Sequence, residues 1–231
     1  MNSNLTISLF GNPNCGKTAV FNLLTGLNQK VSNYPGITVE KKIANFKFDN
    51  INISLEDYPG AYSLTPQSLD EKIVFDTLIG WLNPNAEKPD AIVYVVDVTN
   101  LRRNLYFLSQ ILTFEIPVIL LLNMSDLVDT NQIVDYKLLK ENFSLYDVIP
   151  FSAAKETGYN KLLNCLKILS KEKPSVNHSL LNLSEENMKL IAPLKECFNK
   201  YYDITDDQLN QFAFSALCND KFISNANFWS Y

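Results

Sequence analysis

The chain has 231 residues, 46% of them hydrophobic, enough for one full α/β core and a small further unit of ordinary globular composition. Its formal net charge of −5, with no Lys/Arg cluster, argues against a nucleic-acid partner. Cys15, Cys165, Cys197 and Cys218 form no C-x-x-C pair, His178 is the single histidine, and no apolar run approaches the roughly 18 residues of a membrane span, so a zinc site, a C-x-x-C redox motif, a Ser–His triad and a membrane span all lack material.

Leu5, Ile7 and Leu9 alternate with Thr6 and Ser8 and predict a strand. The loop Gly11–Lys17 follows, then a helix carrying Val20, Phe21, Leu23, Leu24 and Leu27 and ending near Gly26. Residues 28–38, rich in Ser, Asn, Pro and Gly, read as a long loop. Ile43–Phe48 and Ile51–Asp57 predict a hairpin turning at Asp49-Asn50, and 58–69 a second irregular stretch. A helix over Asp70–Trp81 precedes the apolar run Ala91–Val98, suited to a buried parallel strand. Leu101, Leu105, Leu108, Ile111 and Leu112 form a helical stripe, and Pro117–Leu122 a further buried strand. A helix over Tyr136–Asn142, a strand near Val148–Phe151 and a helix over Tyr159–Ser170 complete the alternation.

That alternation predicts a mostly parallel, six-stranded sheet with one antiparallel edge strand and helices on both faces. From residue 173 the pattern changes. A linker holding Pro174 leads to helices alone, over Ser184–Tyr202 and Thr205–Phe222, the second opened by a Thr205-x-x-Gln208 capping box. The expected division is therefore 1–172 and an all-helical 173–231.

Gly11-Asn12-Pro13-Asn14-Cys15-Gly16-Lys17-Thr18 fits G-x-x-x-x-G-K-[ST] between a predicted strand and a predicted helix, the context that the motif requires. Residues Asn12 to Ala19 would line the phosphates, every one but Pro13 with a backbone N–H, Lys17 would supply a charge to the β- and γ-phosphates, and the Thr18 hydroxyl would ligate Mg²⁺. The loop alone does not separate ATP from GTP, or a kinase from a hydrolase. Asn123-Met124-Ser125-Asp126 directly follows a predicted strand, at the carboxyl edge where open α/β sheets bind ligands. A carboxylate at Asp126 accepts hydrogen bonds from guanine N1–H and the 2-amino group. Adenine has neither donor, a mismatch worth about 10⁴-fold in good cases. Ser152-Ala153-Ala154-Lys155 follows the last strand and would offer a backbone N–H, expected from Ala153, to guanine O6.

Asp57-Tyr-Pro-Gly60 ends a strand. Asp57 would hold a water on Mg²⁺, and the Gly60 N–H would meet the γ-phosphate. Thr38 is the candidate second hydroxyl ligand. The residue after Gly60 is Ala61, which cannot orient an attacking water, so hydrolysis would rest on backbone groups, the metal or an added cation. Cys15, at a helix N-terminus, raises the question of a redox switch. Arg102 and Arg103 read as solvated helix residues, and the aromatics Phe198, Tyr201, Tyr202, Phe212 and Phe214 as helical core.

These segments resemble the cytosolic G domain of FeoB, the bacterial ferrous iron transporter. The resemblance is carried by GNPNCGKTAVFNLLTG (11–26), NYPGITVEKK (33–42), DYPGAYSLTP (57–66), VVDVTNLRRNLYF (95–107), NMSD (123–126) and SAAKETG (152–158). It implies a Ras-like P-loop fold and slow, Mg²⁺-dependent GTP hydrolysis in which Lys17, Asn14, Thr38 and Gly60 take part. It implies a helical region like the family's guanine-nucleotide dissociation inhibitor and an attached membrane domain that passes Fe²⁺ at the cytoplasmic face of the inner membrane; it admits a weak homo-oligomer. Some members are activated by K⁺: Asn14 matches the ion's side-chain ligand, and Ser32 and Tyr34 align with its carbonyl donors. The family often has Gly and Trp at those two places. A second class of function stays open: a nucleotide-sensing binding module in which hydrolysis is incidental.

Overall fold

The computed structural model describes residues 3–26, 30–34, 38–83, 85–129, 134–172, 174, 176, 184–202 and 204–218. In chain order the elements are β1 (Ser3–Gly11), α1 (Lys17–Thr25), β2 (Lys30–Asn33), β3 (Glu40–Phe48), β4 (Ile51–Asp57), α2 (Leu69–Gly80), β5 (Ala91–Asp97), α3 (Leu101–Leu112), β6 (Val118–Asn123), α4 (Tyr136–Asn142), β7 (Asp147–Pro150), α5 (Tyr159–Leu169), α6 (Glu185–Asn199) and α7 (Asp206–Cys218). Leu27, the end of the last predicted helix at Phe222, the boundary at residue 173 and the tail Asn227–Tyr231 lie outside the described residues.

The strands form one sheet in the order β2-β3-β4-β1-β5-β6-β7. β1 pairs in parallel with β4 and β5, and β5–β6 and β6–β7 are parallel too. β3 runs antiparallel to β4 and to β2. The sheet thus has seven strands where six were expected. The added one, Lys30–Asn33, falls in the stretch read as loop, because all four residues are exposed and carry no apolar alternation. Only its pairing with β3 makes it a strand.

Each face buries its own cluster. Leu5, Ile7 and Leu9 of β1 pack with Val20 and Phe21 of α1 and Leu162 and Leu166 of α5. On the other face Ile92, Tyr94 and Val96 of β5 meet Phe75 and Leu78 of α2 and Phe107 and Ile111 of α3. β5 is buried on both faces, which is why it reads as a continuous apolar run. Ile191 and Phe198 of α6 and Phe212 and Ala213 of α7 join that second cluster. An aromatic chain crosses it: Phe10 edge-on to Trp81 (5.9 Å), Trp81 to Phe114 (6.3 Å) and Phe114 to Phe212 (5.8 Å). The capping box of α7 forms as expected. Thr205 N–H donates to Gln208 Oε1 (3.0 Å), and Gln208 N–H donates to Thr205 Oγ1 (3.4 Å). No helix among the described residues is long and apolar enough to cross a membrane.

Candidate functional site

The phosphate loop, the 57–60 segment and the two base-reading loops leave the sheet at the carboxyl ends of the parallel strands β1, β4, β6 and β7, while Thr38 lies in the connection between the antiparallel β2 and β3. β1 delivers Gly11, and the phosphate loop runs from there to α1, which opens at Gly16 in a left-handed conformation (φ 85°). A Cβ at Gly16 would run into the Asn123 side-chain amide, so sterics and backbone conformation both require glycine. Asn14 is also left-handed (φ 64°) and exposed; asparagine tolerates that conformation better than most residues. Cys15 N–H donates to Asn12 O (3.3 Å), which closes the loop on itself.

Cys15 is 1% exposed, and burial pushes its thiol up to about 11, against the lowering effect of nearby Lys17. The thiolate is the reactive form, so burial overrides the helix N-terminus and the redox-switch reading is set aside. The Lys17 ammonium is ion-paired with the Asp57 carboxylate, both largely buried. The cation expected to face phosphate and the carboxylate expected to face Mg²⁺ therefore meet at one point.

Asn123 connects the base-reading loops to the phosphate loop. It is 3% exposed, donates through Nδ2 to Cys15 O (2.9 Å), and accepts at Oδ1 from Ala153 N–H (3.1 Å). That second bond engages the N–H expected for guanine O6. Met124 follows in a left-handed conformation (φ 62°), which turns the chain sharply after β6 and leaves Asp126 exposed. Ser125 N–H donates to Phe151 O (3.0 Å), which ties this loop to the end of β7. Ser152 is buried, its Oγ accepting from Lys155 N–H (3.1 Å), and Ala154 is exposed beside it.

Gly60 and Ala61 rest on the phosphate loop. A Cβ at Gly60 would lie 2.9 Å from Pro13 N, and Ala61 N–H donates to Gly11 O (3.3 Å) with its methyl fully buried. The next residues are pinned by two side chains that sequence reasoning missed. Glu71, 8% exposed, accepts from Tyr62 N–H (3.2 Å) and Gln67 N–H (2.7 Å), while Gln110 Oε1 accepts from Leu64 N–H (2.9 Å). Ser68 caps α2 by accepting from Glu71 N–H (3.2 Å), so the S-x-x-E spacing was the available signal for Glu71. Arg103 is exposed on α3, as expected of a solvated helix residue, and also lies over the Tyr62 ring at 4.3 Å.

Ser32 is exposed on β2, and Thr38 is exposed just before β3. Tyr34 is half-buried, its N–H donates to Val39 O (2.9 Å), and the Lys41 ammonium lies 5.6 Å from its ring centre. Among the described residues no group of three or more His, Cys, Asp or Glu side chains could hold a metal. The donors at hand, the Asp57 carboxylate and the Thr18 and Thr38 hydroxyls, are hard oxygens. They suit Mg²⁺, which takes one or two carboxylates and completes its shell with phosphates and water.

A mostly parallel sheet, a phosphate loop after its first strand and an N-x-x-D loop braced against that loop define a P-loop domain of the Ras-like G-domain class. The chain belongs to the FeoB_N family, ferrous iron transport protein B, whose model matches residues 5–166. It is 38% identical over 167 residues to the Fe(2+) transporter FeoB of Leptospira biflexa, covering 72% of this chain and 23% of the relative. It is 36% identical over 228 residues to that of Methanocaldococcus jannaschii, covering 97% and 33%. Among solved structures, the cytosolic domain of the T. maritima FeoB iron transporter in a GDP form superposes with a TM-score of 0.82 at 30% identity, covering 98% of this chain and 87% of that one. The chain thus spans 23% to 33% of the length of these two relatives.

Proposed function

We propose that this domain binds GTP with Mg²⁺ and hydrolyses it slowly, and that nucleotide state drives or regulates Fe²⁺ passage through a membrane domain of the same polypeptide. The observation that carries the reading is the double hydrogen bond of Asn123, which holds the phosphate loop and both base-reading loops together. The T. maritima relative solved in a GDP form supports a guanine ligand. In this reading Asp126 accepts from the base, and the 152–154 loop offers its amides to O6. Backbone N–H groups of 14–19 and the Lys17 ammonium hold the phosphates, with Asn12 and Pro13 lining the loop. Thr18, Thr38 and, through water, Asp57 hold Mg²⁺, which neutralises charge on the phosphates when bound. The division into a G domain (1–172) and a helical region (173–231), and a location at the cytoplasmic face of the inner membrane, follow from the same reading.

The test is competition among GTP, ATP and XTP on wild type and Asp126→Asn. GTP should win on wild type and XTP on the variant; GTP selectivity that survives Asp126→Asn removes the base assignment. The buried methyl of Ala61 favours a second reading, a nucleotide-sensing module with incidental turnover, because no side chain there can orient water. K⁺ bound by Asn14 and the Ser32 and Tyr34 carbonyls would add a positive charge beside the phosphates in place of a water-orienting side chain. Turnover faster in K⁺ than in Na⁺, and lost in Asn14→Ala, supports the enzyme; equal turnover in both salts supports the sensor.

A further inference from the structure

β5 is aliphatic at every buried position except Tyr94, which is fully buried. Its ring lies edge-on to Phe107 (6.0 Å) and could be replaced by phenylalanine without loss of that packing. What the hydroxyl adds is one donor, placed between two acceptors. Asn12 Oδ1 is at 2.8 Å and Asn104 O at 3.2 Å. One proton serves one acceptor well, and the shorter contact, in the phosphate loop, takes it. Burial holds the phenol far above its ordinary pKa, so it remains a donor throughout the physiological range.

The partner is equally buried. Asn12 is 3% exposed, and its Nδ2 has no acceptor among the described residues. The Tyr94 proton thus decides which way round the amide stands: Oδ1 is held by the strand, and Nδ2 is the end left free. Asn12 also anchors the loop's tight turn, its carbonyl accepting from Cys15 N–H, with left-handed Asn14 between them. Tyr94 is in turn seated against α3, where Asn104 Nδ2 donates to Asn100 O (2.8 Å).

We propose that Tyr94 is a positioning residue for the phosphate loop: its buried hydroxyl fixes the Asn12 amide, and through it the Asn12–Asn14 limb that meets the nucleotide. The proposal rests on the nucleotide-binding reading above. Loss of one buried hydrogen bond, with an amide left unpaired, corresponds to about tenfold in affinity if it is expressed at the loop.

The experiment measures dissociation of a fluorescent GDP, turnover at saturating GTP, and thermal unfolding without nucleotide, on wild type, Tyr94→Phe, Asn12→Ala and the double variant. Tyr94→Phe should speed GDP release about tenfold. Asn12→Ala removes the same bond from the loop side and should do at least as much. In the double variant, Asn12→Ala should add less after Tyr94→Phe than it does alone, as expected for groups that act through each other. If either single variant fails to fold, the other still carries the comparison with wild type. Release from Tyr94→Phe within twofold of wild type overturns the proposal. So do strictly additive effects, or a fall in melting temperature with unchanged release, which would make Tyr94 a core residue only. A wild type that binds no guanine nucleotide would instead overturn the nucleotide-binding reading beneath it.

Discussion

Replacing Asn123 with alanine removes the brace between three loops. Its Nδ2 bond satisfies Cys15 O in a buried setting, and its Oδ1 bond satisfies Ala153 N–H in a half-buried one. A buried group left unpaired costs about 1–3 kcal/mol and an ordinary hydrogen bond nets about 1 kcal/mol. Cys15 O takes the larger cost, since water does not reach it; Ala153 N–H takes the smaller, since water can replace the lost acceptor. The sum is about 3 kcal/mol, equivalent to a fall in Tm of roughly 6–12 °C for a protein of this size. Asn123→Asp separates the two bonds. It keeps the acceptor for Ala153 N–H but sets a carboxylate against the Cys15 carbonyl, so it should be no milder than alanine. Calorimetry without nucleotide reads both. A shift below about 1 °C for Asn123→Ala, or recovery of wild-type Tm by Asn123→Asp, would refute the brace.

Further outcomes follow from the other buried polar groups. Glu71→Ala should speed hydrogen exchange at the Tyr62 and Gln67 amides by roughly 10- to 100-fold while the central amides of α2 stay protected; equal exchange at 62 and 67 contradicts the pinning role. Because burial raises the Cys15 thiol to about 11, unfolded chains ionise first as pH climbs through 9. The stability it contributes is full below about pH 9 and lost as pH rises towards 11, so wild type should lose more than Cys15→Ser across that window; parallel curves would contradict the assignment. Gln208→Ala removes the donor that reaches Thr113 O (2.8 Å) and half of the α7 capping box, and should destabilise the fold by about 1–3 kcal/mol in chemical denaturation. An unchanged midpoint would show that the apolar packing of Leu209, Phe212 and Ala213 seats that helix without the Gln208 bonds.

What could be read from the sequence, and what could not, divides along one physical line. Strand and helix order was legible because apolar periodicity is local: the hairpin turn at Asp49-Asn50, the helix Tyr136–Asn142 and the Thr205–Gln208 cap each lie within a few residues of the signal that reports them. The site loops were legible because the motif fixes residue types at short spacing between a strand and a helix. β2 was not, since an exposed edge strand is held by backbone pairing to β3, to which side-chain composition is indifferent. Gln110 was not, because its role is set by Leu64, 46 residues away, and nothing near it announces a partner. Tyr94 was read as one more apolar residue in a buried strand, although a hydroxyl buried in an aliphatic strand must find an acceptor. Here the acceptor is the phosphate loop's Asn12, 82 positions earlier, reached because β5 pairs directly with β1. Parallel sheet topology is therefore what brings these groups together: it sets beside the nucleotide loop polar groups whose local sequence reports only burial.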